Sequence, residues 1–299
     1  MAKRAIDLSG PLTSAVEKAG SSVLRVARHR YPASATVWDA AAGLVVTTRH
    51  AVLGCEDAVT LTLPDGDERE AQVVGTDPGT DLALLKLADA TGLAALEQAE
   101  LADLKVGELA LALGRPGQSV RASLRIVGVL AGEVRTPHGG KLDRYIETDR
   151  ALPRGFSGGP LVDLDGRLIG IDTSGLLRGA DIAVPASTVT RVAAELLAHG
   201  AIKRGYLGVA VQRVRLPDDI ASALGGQKSG ALIVRVDPGS PAAVSGLVLG
   251  DTIVSLDGEA VSGPDRLREL LADRKGARIQ GRIVRGGALQ DVSVTVGEA

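Results

Sequence analysis

Apolar and polar positions along the chain fall into short runs divided by turn residues. Leu12, Ala15, Val16 and Ala19 recur at helical spacing behind Ser9-Gly10-Pro11, which predicts an amphipathic helix over 9–20 with its apolar face on the body of the protein. From Ser22 to Leu87 the pattern turns to β-type runs at 23–27, 44–47, 59–63, 71–74 and 82–87, separated by turn signals such as Pro64-Asp65-Gly66-Asp67. About six short strands at this spacing predict a small closed barrel. A polar, alanine-rich connection of helical or loop character covers 88–105. A second β set runs from Glu108 to Val184, with strands at 109–113, 124–130 and 145–148 and a hairpin built on Asp165-Gly166. Residues 186–199 read as a helix with Val189, Val192, Ala193, Leu196 and Leu197 on one face, stopped by Gly200.

After the short linker 201–204 the pattern starts afresh. Strand signals at 207–211, 232–236, 253–256, 278–284 and 292–296, with helical stretches at 240–245 and 264–273, predict a separate unit of five strands and two helices. The organisation expected is an N-terminal helical segment, 1–21, a larger domain, 22–203, and a smaller one, 204–299.

Composition narrows the classes. The 299 residues are 45% hydrophobic and 23% charged, enough for real cores under a charged surface, while aromatics at 2% leave those cores to Val, Leu, Ile and Ala. The formal net charge is −2, and neither domain carries the basic excess of a nucleic-acid binder. A lone cysteine, Cys55, rules out an internal disulfide framework and argues against a zinc site; no metal or cofactor is expected. Arg115-Pro116-Gly117-Gln118 and Gly225-Gly226-Gln227-Lys228-Ser229 both lack the glycine-lysine pattern of a phosphate loop. No run approaches the roughly eighteen apolar residues of a membrane helix, and no apolar segment follows the basic residues at the start. The chain as given is therefore expected in the cytoplasm, or in the periplasm or outside the cell if its start is truncated.

The stretch richest in chemistry is Gly155-Phe156-Ser157-Gly158-Gly159-Pro160. Glycines on both sides of a serine permit positive φ and close approach of a ligand, so the N–H groups of Gly155 and Ser157 could converge as an oxyanion hole. The alternative is a plain glycine turn with a surface serine. A nucleophilic serine needs a base, and the base an orienter. Of four histidines, His50 closes the apolar run that begins at Leu44, which holds it at the exit of a buried strand. His29 alternates within a polar-apolar strand and is expected to be exposed, His138 lies in a loop, and His199 ends a helix, where a cation suits the dipole. Asp81 opens the buried strand 82–87, where a carboxylate is costly unless paired; a histidine partner or a turn-capping role would both supply that pairing. Asp77, before Pro78, fits the capping role better.

Thr47-x-x-His50-x-Val52, Thr80-Asp81-Leu82-Ala83 and Gly155-Phe156-Ser157-Gly158-Gly159-Pro160 stand in the order His, Asp, Ser. In this wording and order the chain resembles the HtrA/Deg family of trypsin-like serine proteases over nearly its whole length. Asp181-Ile182-Ala183-Val184-Pro185 is similar to that family's close of the protease domain, and Arg204-Gly205-Tyr206-Leu207-Gly208-Val209 to its entry into a PDZ domain. The resemblance implies a mainly β chain: a chymotrypsin-like double β-barrel, then a PDZ domain. His50 and Asp81 would sit on the first barrel and Ser157 on the second, with the site in the cleft between. It implies an ATP-independent serine endopeptidase of protein quality control acting on unfolded or damaged proteins. His50, Asp81 and Ser157 would be its catalytic triad, and Gly155 and Ser157 its oxyanion hole. It further implies peptide C-termini bound at Gly205, Tyr206, Leu207 and Gly208, where the alternative is a turn into a strand. Cleavage after small aliphatic residues and a homo-oligomer, a trimer, are also implied.

Three departures keep a second reading open, that of a catalytically silent peptide-binding chaperone or scaffold. Phe156 replaces the family's usual asparagine and is expected at the lip of the site. Arg154 precedes the turn. Ala33-Ser34-Ala35-Thr36 replaces a glycine-serine-glycine, with a bearing expected on packing more than chemistry.

Overall fold

The computed structural model describes residues 8–27, 32–55, 57–177 and 179–298. The chain divides into two units, one ending at Ile202 and the other beginning at Lys203. His29 lies outside the described residues.

The first unit opens with helix α1 (Ser9–Gly20), then strands β1 (Val23–Val26), β2 (Ala33–Asp39) and β3 (Leu44–Thr48). The four-residue helix α2 (Arg49–Val52) leads to β4 (Ala58–Thr62), β5 (Glu68–Asp77) and β6 (Leu82–Leu87). Neighbours run β1-β2-β3-β6-β5-β4, and pairing of β1 with β4 closes the barrel. β3 and β6 pair in the register Val45↔Leu85 and Thr48↔Leu82 and are buried on both faces. Val45, Ala83, Leu85 and Leu87 fill the barrel; Leu44, Val46, Leu82 and Leu84 point outward into a second apolar cluster. Two buried faces explain why these strands read as unbroken apolar runs.

The second barrel comprises β7 (Leu109–Gly114), β8 (Arg121–Ala131), β11 (Tyr145–Thr148), β12 (Pro160–Val162), β13 (Leu168–Leu177) and β14 (Ala180–Pro185). A small hairpin, β9 (Val134–Arg135) with β10 (Lys141–Leu142), lies between β8 and β11. The order β11-β14-β13-β12-β7-β8 closes through β8 and β11. Leu168, Ile171, Leu176, Ile182 and Val184 of this barrel join Leu44, Val46, Leu82 and Leu84 of the first in one cluster, with Val189, Val192 and Leu196 of α3 (Ala186–His199). That shared cluster presses the ends of β3 and β6 against β13, the arrangement on which the site depends. Gly200 ends α3 in the left-handed region, φ 71°, as the sequence predicted.

Ala15 and Ala19 of α1 pack on Leu111, Leu113 and Val162 of the second barrel. The connection 88–105 is loop with a single 3-10 turn, Leu101–Asp103. Cys55 is a free thiol, half-buried against the first barrel's core. Strand β2 left no clear apolar signal because its buried Ser34 and Thr36 alternate with alanines; hydrogen bonds, not hydrocarbon, hold them inside.

The second unit contains β15 (Gly205–Tyr206), β16 (Val209–Arg215), α4 (Asp218–Ala223), β17 (Ser229–Val236), α5 (Pro241–Val244), β18 (Thr252–Leu256), β19 (Glu259–Ala260), α6 (Pro264–Leu271), β20 (Arg278–Arg285), β21 (Ala288–Thr295) and β22 (Gly297–Glu298). Its main sheet runs β16-β17-β18-β20-β21, with β19 added to β18, so β16 is an edge strand. Ala231, Ile233, Ile253, Leu256, Leu267, Leu271, Ile279 and Ile283 form the core. Helix α4 was not foreseen: only Ile220 of its single turn and a half is buried, too few positions to give a period. Among the described residues, no helix is long and apolar enough to cross a membrane.

Candidate active site

Ser157 sits in a turn that several elements hold from outside. Phe156 donates its N–H to the Pro153 carbonyl at 3.2 Å, and Gly155 at the third position has φ 86°, as a type II turn demands. Gly158 also has φ 86°, and a Cβ there would lie 2.0 Å from the Ser34 carbonyl oxygen; Gly159 would meet Leu113's carbonyl oxygen at the same distance. These glycines are required by close approach of backbone to backbone. Gly158 and Asp172 of β13 are joined by an N–H···O bond of 2.8 Å, and the Asp172 N–H returns one of 2.9 Å to Gly159. Among the described residues, neither the Gly155 nor the Ser157 N–H donates a hydrogen bond, so both are left for an incoming acceptor.

Ser34 is the strut of this turn. Its N–H donates to the Ser157 carbonyl at 2.9 Å, its Oγ donates to the Gly155 carbonyl at 2.6 Å and accepts from Arg115 N–H at 2.8 Å, and its carbonyl accepts from Thr47 Oγ1 at 2.7 Å. Thr36 Oγ1 donates to the Gly158 carbonyl at 3.0 Å. The Ala33–Thr36 stretch therefore fixes the serine turn by hydrogen bonds, which corrects the expectation that it bears mainly on packing. Phe156 is corrected too: it is only 2% exposed and fills the second barrel's core beside Ala112 and Ile146, away from the lip of the cleft. Arg154 is exposed on the cleft wall.

His50 lies in α2, the turn of helix immediately after β3, with its side chain 35% exposed. Asp81 precedes β6 in the left-handed region, φ 57°, and its side chain is 9% exposed. Three donors converge on the Asp81 carboxylate. His50 N–H reaches Oδ1 at 3.1 Å, and His50 Nδ1 and Thr173 Oγ1 reach Oδ2 at 2.7 and 2.6 Å. Because a carboxylate only accepts, this pairing places the histidine proton on Nδ1 and leaves Nε2 as the basic nitrogen. Asp77 is the turn cap, accepting from Gly79 N–H, Thr80 N–H and Thr80 Oγ1. His138 and His199 are exposed.

The second barrel closes this arrangement through β13. Thr173 Oγ1, besides donating to Asp81, accepts from Gly175 N–H at 3.0 Å. A Cβ at Gly175 would lie 2.5 Å from His50 Nδ1 and 2.9 Å from Asp81 Oδ2, so β13 lies flat against the pair only because this residue has no side chain. Ser174 Oγ is 3.0 Å from Ser157 Oγ. His50, Gly155, Ser157 and Ser174 line one cleft of about 300 Å³, with Pro32, Leu152 and Arg154 around them. A serine hydroxyl, an imidazole oriented by a buried carboxylate and two unbonded N–H groups on one cleft are the groups that acyl transfer calls for.

Residues 33–171 match the trypsin-like peptidase domain and residues 205–296 the PDZ domain. The solved HtrA-type protease AlgW with tripeptide is similar over 96% of this chain and 97% of its own, with 33% identity and a TM-score of 0.66. The chain belongs to the HtrA family of trypsin-like serine proteases. A serine endoprotease from Yersinia pestis aligns with this HtrA chain over 99% of its length at 25% identity and a TM-score of 0.70. Probable periplasmic serine endoproteases, DegP-like, from Pseudomonas fulva and Halomonas elongata are 37% and 36% identical over 265 and 266 residues. Those stretches are 85% and 86% of this chain but 53% and 54% of the relatives, so the HtrA chain spans about half the length of these curated relatives. Their names overturn the cytoplasmic expectation, which rested on the lack of an apolar segment after the first basic residues and of any membrane-length apolar run.

In the PDZ unit of this HtrA chain, the segment Gly205–Gly208 is divided. Gly205 and Tyr206 pair with Glu298 and Gly297, and the Gly205 N–H also faces the Ala272 carbonyl at 3.3 Å. Tyr206 donates its hydroxyl to Asp237 at 2.9 Å. Leu207 is buried in the core, and Gly208, φ 76°, has no room for a Cβ, which would lie 2.2 Å from Ser240 Cβ. Among the described residues, the Leu207 and Gly208 N–H groups donate no hydrogen bond, at the start of edge strand β16.

Proposed function

We propose that this chain is an ATP-independent serine endopeptidase with His50, Asp81 and Ser157 as catalytic residues. The observation that carries the reading is that the Asp81 carboxylate, braced by Thr173, holds the ring of His50, which lines one cleft with Ser157. Ser157 Oγ attacks the peptide carbonyl carbon while its proton passes to His50 Nε2. The carbonyl oxygen, now an oxyanion, takes the N–H groups of Gly155 and Ser157. As the tetrahedral intermediate collapses, the C–N bond breaks and His50 returns the proton to the departing amine. Water, activated by the same histidine, then hydrolyses the acyl-enzyme. Asp81 holds the imidazole and stabilises its cation, and Thr173 holds Asp81.

Unfolded or damaged proteins are the proposed substrates, in a quality-control role, cut after small aliphatic residues. The PDZ unit captures peptide C-termini as an added strand on β16, with the carboxylate on the Leu207 and Gly208 N–H groups. The relatives' names support a periplasmic setting, and family resemblance supports a trimer. The test is casein degradation without nucleotide, comparing the wild type with His50→Ala. Wild-type cleavage that falls about 10³-fold or more in the variant supports the reading. No wild-type cleavage, even with C-terminal peptides added, overturns it in favour of a peptide-binding scaffold.

A further inference from the structure

Among the described residues, the largest fully buried side chain is a cation, Arg125 of β8, 1% exposed inside the second barrel. A buried guanidinium costs several kcal/mol unless it is well partnered. The hydrogen bonds of the Arg125 guanidinium all go to one short stretch: Nη1 to the Arg150 and Ala151 carbonyls at 3.0 and 3.2 Å, and Nη2 to Ala151 at 3.2 Å, while the buried Nε has no hydrogen-bond partner. The flanking residues of that stretch are held as well. Asp149 exchanges hydrogen bonds with the backbone of Ile126, at 3.1 Å to its carboxylate and 3.0 Å from its N–H. Leu152 donates its N–H to the Asp181 carboxylate of β14. Four consecutive residues, 149–152, are thus fixed from outside, and the type II turn that presents the Gly155 N–H starts at the next residue. Leu152 itself lines the cleft.

The protein uses charge to do this in a barrel whose core is mostly apolar. Arg125 has Asp172 and Asp181 as buried or half-buried acidic neighbours, with Asp149 and Arg150 on the loop side. An apolar side chain at 125 would leave the Arg150 and Ala151 carbonyls without their donor and Asp149 and Asp181 without their cation. Nothing in the hydrolytic chemistry needs these groups directly, and none of them lines the cleft.

We propose that Arg125 and Asp181 are positioning residues for the oxyanion turn: they fix the path of residues 149–152, and through it the direction of the Gly155 N–H. The inference rests on the protease reading above. It assigns the pair to transition-state stabilisation, so their loss lowers kcat and leaves substrate binding in place.

The experiment measures kcat and KM on a peptide substrate, together with inhibition by a peptide aldehyde, which forms the tetrahedral adduct, and by an uncleaved peptide competitor. Asp181→Ala is expected to lose about 10² in kcat, the size of a lost oxyanion donor, with KM within about twofold and weakening of the aldehyde alone in parallel. Asp181→Asn keeps an acceptor for Leu152 N–H and is expected to stay within about threefold of wild type. Should Asp181→Ala fail to fold, Arg125→Lys decides: it keeps the charge without the fork, and about a tenfold loss in kcat is expected. Unchanged kcat in Asp181→Ala or Arg125→Lys overturns the proposal, as does equal weakening of aldehyde and competitor. A wild type that turns over no substrate overturns instead the protease reading on which the inference stands.

Discussion

Replacing Asp172 with asparagine should stabilise the protein relative to wild type increasingly as the pH rises. Asp172 is buried on β13, its Oδ2 has no hydrogen-bond partner, and its carboxyl is pushed up to about 8. Burial is the main cause; Asp181 raises it further, and Arg125 opposes both. Between the unfolded value, 3.8, and about 8 the folded protein therefore holds a proton that the unfolded chain has released. Stability consequently falls as pH rises through that window, by up to about 1.4 kcal/mol per pH unit, and levels off above it. Asparagine has the same shape and does not titrate, so this slope disappears while all other groups cancel in the comparison. With an m-value of roughly 2 kcal/mol per molar urea, the gap between the variant's and the wild type's midpoints should widen by up to about 0.7 M per pH unit from pH 5 to 8. The assay is urea unfolding followed by the single tryptophan, Trp38 on β2, which packs against the apolar cluster shared by the two barrels. A gap that stays constant from pH 5 to 8 would refute the reasoning, because it would mean that Asp172 is already ionised in the folded protein.

Three further substitutions test the site and the PDZ unit. Ser34→Ala removes the donor to Gly155 and the acceptor for Arg115 N–H; peptide kinetics and urea melts should show roughly tenfold lower kcat and a loss of about 1–3 kcal/mol. Gly175→Ala places a methyl 2.5 Å from His50 Nδ1; kcat should fall by about 10² or more while competitor binding persists, and unchanged kcat would show that β13 yields. Gly208→Ala adds a Cβ at φ 76° against Ser240; calorimetry should show loss of C-terminal peptide binding, with basal cleavage of a short peptide unchanged.

Much of this molecule can be read from local pattern. Helix α3 and strand β6 stand where their apolar spacing puts them, since each buries several consecutive or periodic positions. His50, Asp81 and Ser157 stand out as candidates because each sits beside a conspicuous feature: the end of an apolar run, a charge at the mouth of a buried strand, a cluster of glycines. Ser34, Thr173, Gly175 and Arg125 do not. Ser34, Thr173 and Gly175 meet partners roughly 90 to 125 residues away, and a small polar residue or glycine within a strand carries no local sign of such a contact; Arg125 meets only backbone carbonyls. Phe156 was misplaced for a related reason. Its neighbours marked it as part of an exposed turn, whereas the turn directs this one side chain into the barrel.

Fluorophosphonate labelling bears most directly on the catalytic assignment, because the reagent reacts only with a serine that is activated and flanked by working oxyanion donors. Wild type and Ser157→Ala would be labelled side by side, with the modified residue located by peptide mass spectrometry. The result expected is one adduct per chain, on Ser157, absent from the variant, together with loss of casein cleavage. A wild type that stays unlabelled in the presence of C-terminal peptides, or an adduct on any residue other than Ser157, would contradict it.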